Sequence, residues 1–245
     1  MGENYKHHGR VGLTVVVGLL VWQFGVTALL TLAGGENAKL GVLAKMLWGL
    51  NLLWILGAGF LSIRFRDRVT AWGAAARPLV VAWFVAGAVG LALVEEAVTT
   101  AMTNCAPLFG AKLGEVYITA SADYLDVVLY HSVVVFVPQF VMLGLLMKRY
   151  AITPLAAFFC YGAAGFVNEA LFSGPNPLQY AQWTLVYGLL VYLPAHLFVP
   201  IEHRRPVRWW FWPVVVLAPV AASVPVVALL LVIAPGHPRI HFPPM

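Results

Sequence analysis

Charge is what this chain has least of. Only 10% of its 245 residues are charged, against about a quarter in a soluble domain, and 61% are hydrophobic. No water-soluble fold of this length hides that much apolar surface, so the expected solvent is lipid. Cysteine is scarcer still. Cys105 and Cys160 are too few for a disulfide framework, and each reads as a small buried hydrophobe. The chain has no Gly-rich phosphate loop, no paired-cysteine metal motif and no nucleophile elbow. A net charge of +5 does not point to nucleic acid. The basic residues fall in short runs between apolar segments instead of gathering on one soluble face.

What is present is a series of long apolar runs. A hydrocarbon core about 30 Å thick is crossed by roughly 20 helical residues. Seven segments meet that length: 11–33, 40–63, 78–102, 124–147, 152–172, 180–201 and 209–234. Lys6 and Arg10 precede the first as they would in a signal peptide. That run is longer than the roughly 7–15 residues of a signal-peptide core, so it reads as a retained helix. Connections are short, except 103–123, which is long enough for a re-entrant piece or a cap. No internal repeat or linker divides the chain. The expectation is an all-α, polytopic integral membrane protein, one transmembrane domain over residues 1–245.

Cytoplasmic loops hold the excess of Lys and Arg. Lys6 and Arg10, then Arg64, Arg66, Arg68 and Arg77, then Lys148 and Arg149, then Arg204, Arg205 and Arg208 lie in alternate connections, eleven of the fifteen. Lys39, Lys45, Lys112 and Arg239 are the remainder. This alternation requires seven spans with the N-terminus in the cytoplasm and the C-terminus outside, in the cell membrane. Pro213, Pro219 and Pro225 punctuate the last span, each favouring a kink. Trp209, Trp210 and Trp212 at its start suit an interfacial belt.

Ionisable groups inside such segments cost about 2.5–3.5 kcal/mol each on insertion scales, so each asks for a reason. Glu95 and Glu96 close the third segment, Asp123 and Asp126 open the fourth with His131 further in, and Asn168 and Glu169 close the fifth. At 1.5 Å per residue, Glu96 is about 27 Å along its segment, His131 about 10 Å below the outer surface and Glu169 about 25 Å along. All three fall in the outer third of the membrane. Asp123, Asp126 and Tyr130 share one helix face, from which His131 points away by about 100°. Glu96, Thr100 and Thr103 share another, while Gly162 and Gly165 permit a close helix approach below Asn168. Helix-end placement or snorkelling accounts for the boundary acids without any site, and a lone His131 fits hydrogen-bonded packing. Gln23 and Asn51, mid-membrane amides, read as donors and acceptors of interhelical hydrogen bonds, with no partner specified. Lys45 is the one lysine inside a segment, and a retinal-type reading fails because the seventh segment has none.

The Glu95–Glu96 pair ending one membrane helix, followed by His131 on the next, resembles the CAAX-type glutamate intramembrane proteases. Their first motif is Glu-Glu-x-x-x-Arg; here Thr100 stands at the arginine position. His196 falls where the last His-x-x-x-Asn motif begins, with Pro200 four residues on. The resemblance implies that Glu95 or Glu96 activates water while His131 assists at the oxyanion.

The leading expectation is therefore a membrane-embedded hydrolase. Its working groups are Glu95, Glu96 and His131, with Asp126, Asn168 and Glu169 as binding groups. Carboxylates beside an imidazole also suit a divalent cation, although no spacing singles one out. Two other readings stay open: a cation- or proton-coupled transporter using the same acids, and a non-catalytic subunit whose apolar surface meets other membrane subunits.

Overall fold

In the computed structural model, the described residues are 2–201 and 203–235; side chains are described from residue 11 onward, apart from 172 and 173. Among these residues the chain is all-helical, without a strand. α1 is Gly2–Ala33 and α2 is Ala38–Gly73. α3 is Val80–Asn104, and α4 is a bent pair, Tyr124–His131 and Val133–Arg149, broken by 46°. α5 is Pro154–Ser173, α6 is Tyr180–Ala195 and α7 is Trp212–Ile233.

Four helical stretches are long and apolar enough to cross a membrane, five if the bent pair counts as one. Many of their large apolar side chains face outward, including Leu29, Leu32, Phe60 and Val232. A water-soluble surface does not carry so much exposed hydrocarbon. The chain is a helical membrane protein.

The two helices outside that set, α5 and α6, are the interior ones. They form the most extensive pairing in the molecule, and α6 also touches α1, α2 and α3. Nearly every residue of α6 is buried. α5 turns Asn168 toward Gln139 of α4 and Glu169 toward Tyr187 of α6. Glycine sets the spacing: a Cβ on Gly162 would sit 2.5 Å from the Thr184 carbonyl oxygen, and one on Gly165 2.2 Å from Tyr187 Cγ. Gly188 meets Phe158 in the same manner. In lipid, apolar burial gives little drive to helix association, so close van der Waals packing of this kind has to supply it.

Local signals define the helix ends. The Thr153 side chain accepts from the Ala156 N–H ahead of Pro154, and Asp123 accepts from Leu125 and Asp126 at the start of α4. Asp123 is thus a cap. The stretch 64–73, expected as a loop, continues α2 as helix to Gly73. Nothing between Ile63 and Gly73 breaks a helix, and Arg64, Arg66 and Arg68 are exposed along it. α7 is one helical stretch with Pro219 and Pro225 inside it, while Pro213 occupies the first turn, where a missing N–H costs nothing.

The long connection after α3 forms a cap. A short turn, Ala106–Phe109, leads into a loop whose Val116 packs with Ala106 on Val42 and Met46. The Thr103 hydroxyl accepts from the Ile118 N–H, and the Asn104 amide donates to the Ala122 carbonyl. Deeper, Gln23 donates to Asn51 at 3.0 Å and Asn51 to Thr27 at 2.9 Å, so both amides make the interhelical hydrogen bonds expected of them, and with each other.

The α5–α6 contact sets the first expectation. Gly165→Ala drives a methyl group into Tyr187 and should lower stability by about 1–3 kcal/mol. Gly90→Ala, which meets nothing within 4 Å, should leave it unchanged. Thermal unfolding in detergent measures both, and equal melting of the two variants would remove the close-packing account.

Candidate functional site

Glu95 and Glu96 lie four turns along α3, with Glu96 about 24 Å from Val80. Glu169 lies about 22 Å along α5 from Pro154. Both acids of the α3 pair are buried, at 6% exposure each, and Glu169 is half-buried. The structure brings the three together: Glu95 is within the field of Glu96 and Glu169, and Glu96 within that of Glu169. α6 supplies the fourth member, Tyr187, whose hydroxyl donates a short hydrogen bond to Glu169 Oε1.

The adjacent glutamates have different surroundings. Glu96 accepts from two hydroxyls on two parts of the chain. Thr99 Oγ1 lies 3.2 Å from Oε2 and Thr119 of the cap lies 3.4 Å from it, and Ser132 at the bend of α4 stands near the same carboxyl. Among the described residues none hydrogen-bonds to the Glu95 carboxyl. A buried acid held by donors is fixed in place; one without them needs water, a proton or a ligand to satisfy it. Thr100, expected to line the Glu96 face, leaves its buried hydroxyl without a partner, and Thr99 takes the role one residue earlier.

α4 departs from regular helix where the site needs it. Residues Val127–His131 form a π-helical turn, in which the Ser132 N–H reaches back five residues to the Val127 carbonyl at 2.9 Å. The 100° step of an α-helix does not hold there, so the face assigned to Asp126, Tyr130 and His131 from regular spacing is displaced. The wide turn and the bend bring the Ser132 hydroxyl near Glu96. His131, half-buried, directly precedes it. Asp126 is half-buried in the first turn of α4, six residues before Ser132. The Tyr124 hydroxyl fastens this end of α4 to the Leu93 carbonyl on α3 at 2.9 Å.

Asn168 belongs to a second network beside the acids. Its amide and that of Gln139 exchange hydrogen bonds, Asn168 donating at 3.2 Å and Gln139 at 3.4 Å. Tyr161 donates to Gln139 Oε1 at 3.2 Å, and Gln139 Nε2 donates to Ser223 at 3.1 Å. Gln139 and Tyr161 are sealed from solvent. The network ties α4, α5 and α7 one residue from Glu169.

His196 lies elsewhere. Its Nδ1 meets the Thr70 hydroxyl at 3.2 Å, joining the end of α6 to the extension of α2. The divalent-cation expectation finds no donor set, because among the described residues no three His, Cys, Asp or Glu side chains converge as metal ligands. Glu95, Glu96 and Glu169 feel one another's charge without meeting at one point. Both cysteines are free, Cys160 buried and Cys105 half-buried.

Sequence reasoning passed over Gln139, Tyr187, Ser132 and Thr119. Gln139 carried the signal that singled out Gln23 and Asn51, a lone amide inside an apolar run. Tyr187 and the hydroxyl residues carried none, since such side chains are common in membrane helices for packing alone. No protein-family model, curated protein or solved structure matches the chain.

Proposed function

We propose that the chain is a membrane-embedded hydrolase in which Glu95 activates water beside a fixed Glu96. The observation that carries this reading is the asymmetry of the pair: Glu96 is held by the Thr99 and Thr119 hydroxyls, whereas the buried Glu95 carboxyl has no hydrogen-bond partner among the described residues. A general base must hold its water within hydrogen-bond reach, and an acid already engaged by protein donors has less capacity to do so. In the proposed reaction the Glu95 carboxylate takes a proton from water as the oxygen attacks an amide carbonyl. His131 assists at the oxyanion. Collapse breaks the C–N bond, and Glu95 returns the proton to the departing amine. The resemblance of the Glu-Glu pair to the glutamate intramembrane proteases supports the same assignment, with Thr100 in place of the family's arginine.

The deeper network gives the transporter reading its one specific support. Gln139, Tyr161 and Ser223 extend polar contacts from Asn168 into the bundle interior. Hydrolysis and transport separate by isotope. Purified protein incubated with solubilised membrane proteins in H₂¹⁸O should generate new ¹⁸O-labelled C-termini, read by mass spectrometry. Glu95→Gln should abolish them at full folded yield. Labelled termini no more abundant than in a protein-free control, or undiminished in Glu95→Gln, would contradict the hydrolase.

We further propose seven spans in the cell membrane, N-terminus inside, with α5 and α6 as interior spans beside the four or five recognisable ones. The support is the alternation of basic residues between connections. A cysteine at Asp67, an exposed position on the extension of α2, should react with impermeant maleimide only from the cytoplasmic side in a background lacking Cys105 and Cys160. Labelling from outside would reverse the orientation.

A further inference from the structure

A second feature lies at the same end of the bundle, outside the acidic site. A pocket of about 480 Å³ opens between the end of α1, the first half of α2 and the cap turn, lined among others by Gly34, Gly41, Lys45, Trp48 and Phe109. Its floor is where α1 and α2 touch closely, since a Cβ on Gly34 would sit 2.4 Å from Gly41 Cα. The Trp48 indole donates to Thr31 at 3.0 Å, which fixes the ring as a wall.

Lys45 is the chemical feature of this pocket. It is exposed, and its ammonium donates to the Phe109 carbonyl at 3.1 Å. A carbonyl satisfies one donor and leaves the charge uncompensated. The pocket lining contains no acidic residue. Seven residues from Ala38, Lys45 lies about 10 Å along α2, at a level where a lysine inside an apolar segment needs an anion or a route to the surface. The remaining walls are glycine, alanine, valine and aromatic ring, with the Thr31 hydroxyl taken up by the Trp48 indole. An occupant that satisfies both features carries a negative headgroup on apolar chains.

We propose that this pocket binds one anionic phospholipid, its phosphate paired with Lys45 and its glycerol and upper acyl carbons against Trp48 and the glycine floor. The inference does not depend on the hydrolase reading.

The test uses the full chain in neutral detergent, titrated with phosphatidylglycerol, phosphatidylcholine and inorganic phosphate, with bound lipid counted by native mass spectrometry. Phosphatidylglycerol should be retained as a one-to-one adduct in preference to phosphatidylcholine. Lys45→Gln should weaken it about fivefold, the loss expected for one basic residue facing an anionic lipid. Lys45→Arg should keep it, and Lys39→Gln, outside the pocket lining, should not alter it. Equal retention of phosphatidylcholine, full competition by inorganic phosphate, or unchanged binding in Lys45→Gln would each overturn the proposal. If Lys45→Gln fails to fold, the lipid-class comparison on the unaltered chain decides alone.

Discussion

The contact between α5 and α6 is the constraint on which the rest depends. Gly162, Gly165 and Gly188 remove the side chains that would hold these helices apart. Tyr187 lies over Gly165, one helical turn below Glu169, and this seating is what brings its hydroxyl to the carboxyl. Because α6 is also packed against α1, α2 and α3, the geometry of that one pair is passed to the helix that carries Glu95 and Glu96. A wider α5–α6 spacing would remove the tyrosine from Glu169 and loosen the buried layer. In a bilayer such packing carries weight that apolar burial carries in water, since lipid chains are as apolar as the side chains they replace.

Placing three carboxylic acids in one buried layer is costly unless donors meet them. Hydroxyls do most of that work here: Thr99 and Thr119 for Glu96, with Ser132 standing near it, and Tyr187 for Glu169. The donors come from α3, the cap and α6, so three separate parts of the fold must be in place before these two acids are satisfied. The π-helical turn at Val127–His131 is part of the same arrangement, because it redirects the chain at Ser132. Among the described residues Glu95 alone of the three has no protein donor, and that difference between adjacent residues gives the layer chemical potential beyond a packed core.

The sequence revealed the solvent and the helical class because those follow from composition and segment length. It also indicated interhelical hydrogen bonding by Gln23 and Asn51, although not that they bond each other, since isolated polar groups in an apolar run must find partners on neighbouring helices. Counting rise along two helices, α3 and α5, put Glu95, Glu96 and Glu169 at one depth. The angular arrangement was not legible, because counting assumes 3.6 residues per turn and α4 abandons that spacing between Val127 and Ser132. The helical extension of α2 past Ile63 was hidden by its charge, which reads as loop although no residue before Gly73 interrupts a helix. Tyr187 was hidden for another reason. Its role comes from a neighbour eighteen residues away and a glycine beneath it, neither of which marks tyrosine as special.

The central claim is that Glu95 is the acid of the layer left without a donor among the described residues, while Glu96 and Glu169 are engaged by protein hydroxyls. An apolar carbodiimide enters lipid and adds to carboxyl groups that are not already engaged, so it reads this difference directly. After brief treatment of the membrane-reconstituted chain, peptide mapping by mass spectrometry should find the adduct on Glu95 at several times the level on Glu96 or Glu169. An adduct spread evenly over the three, or absent from Glu95, would contradict the account.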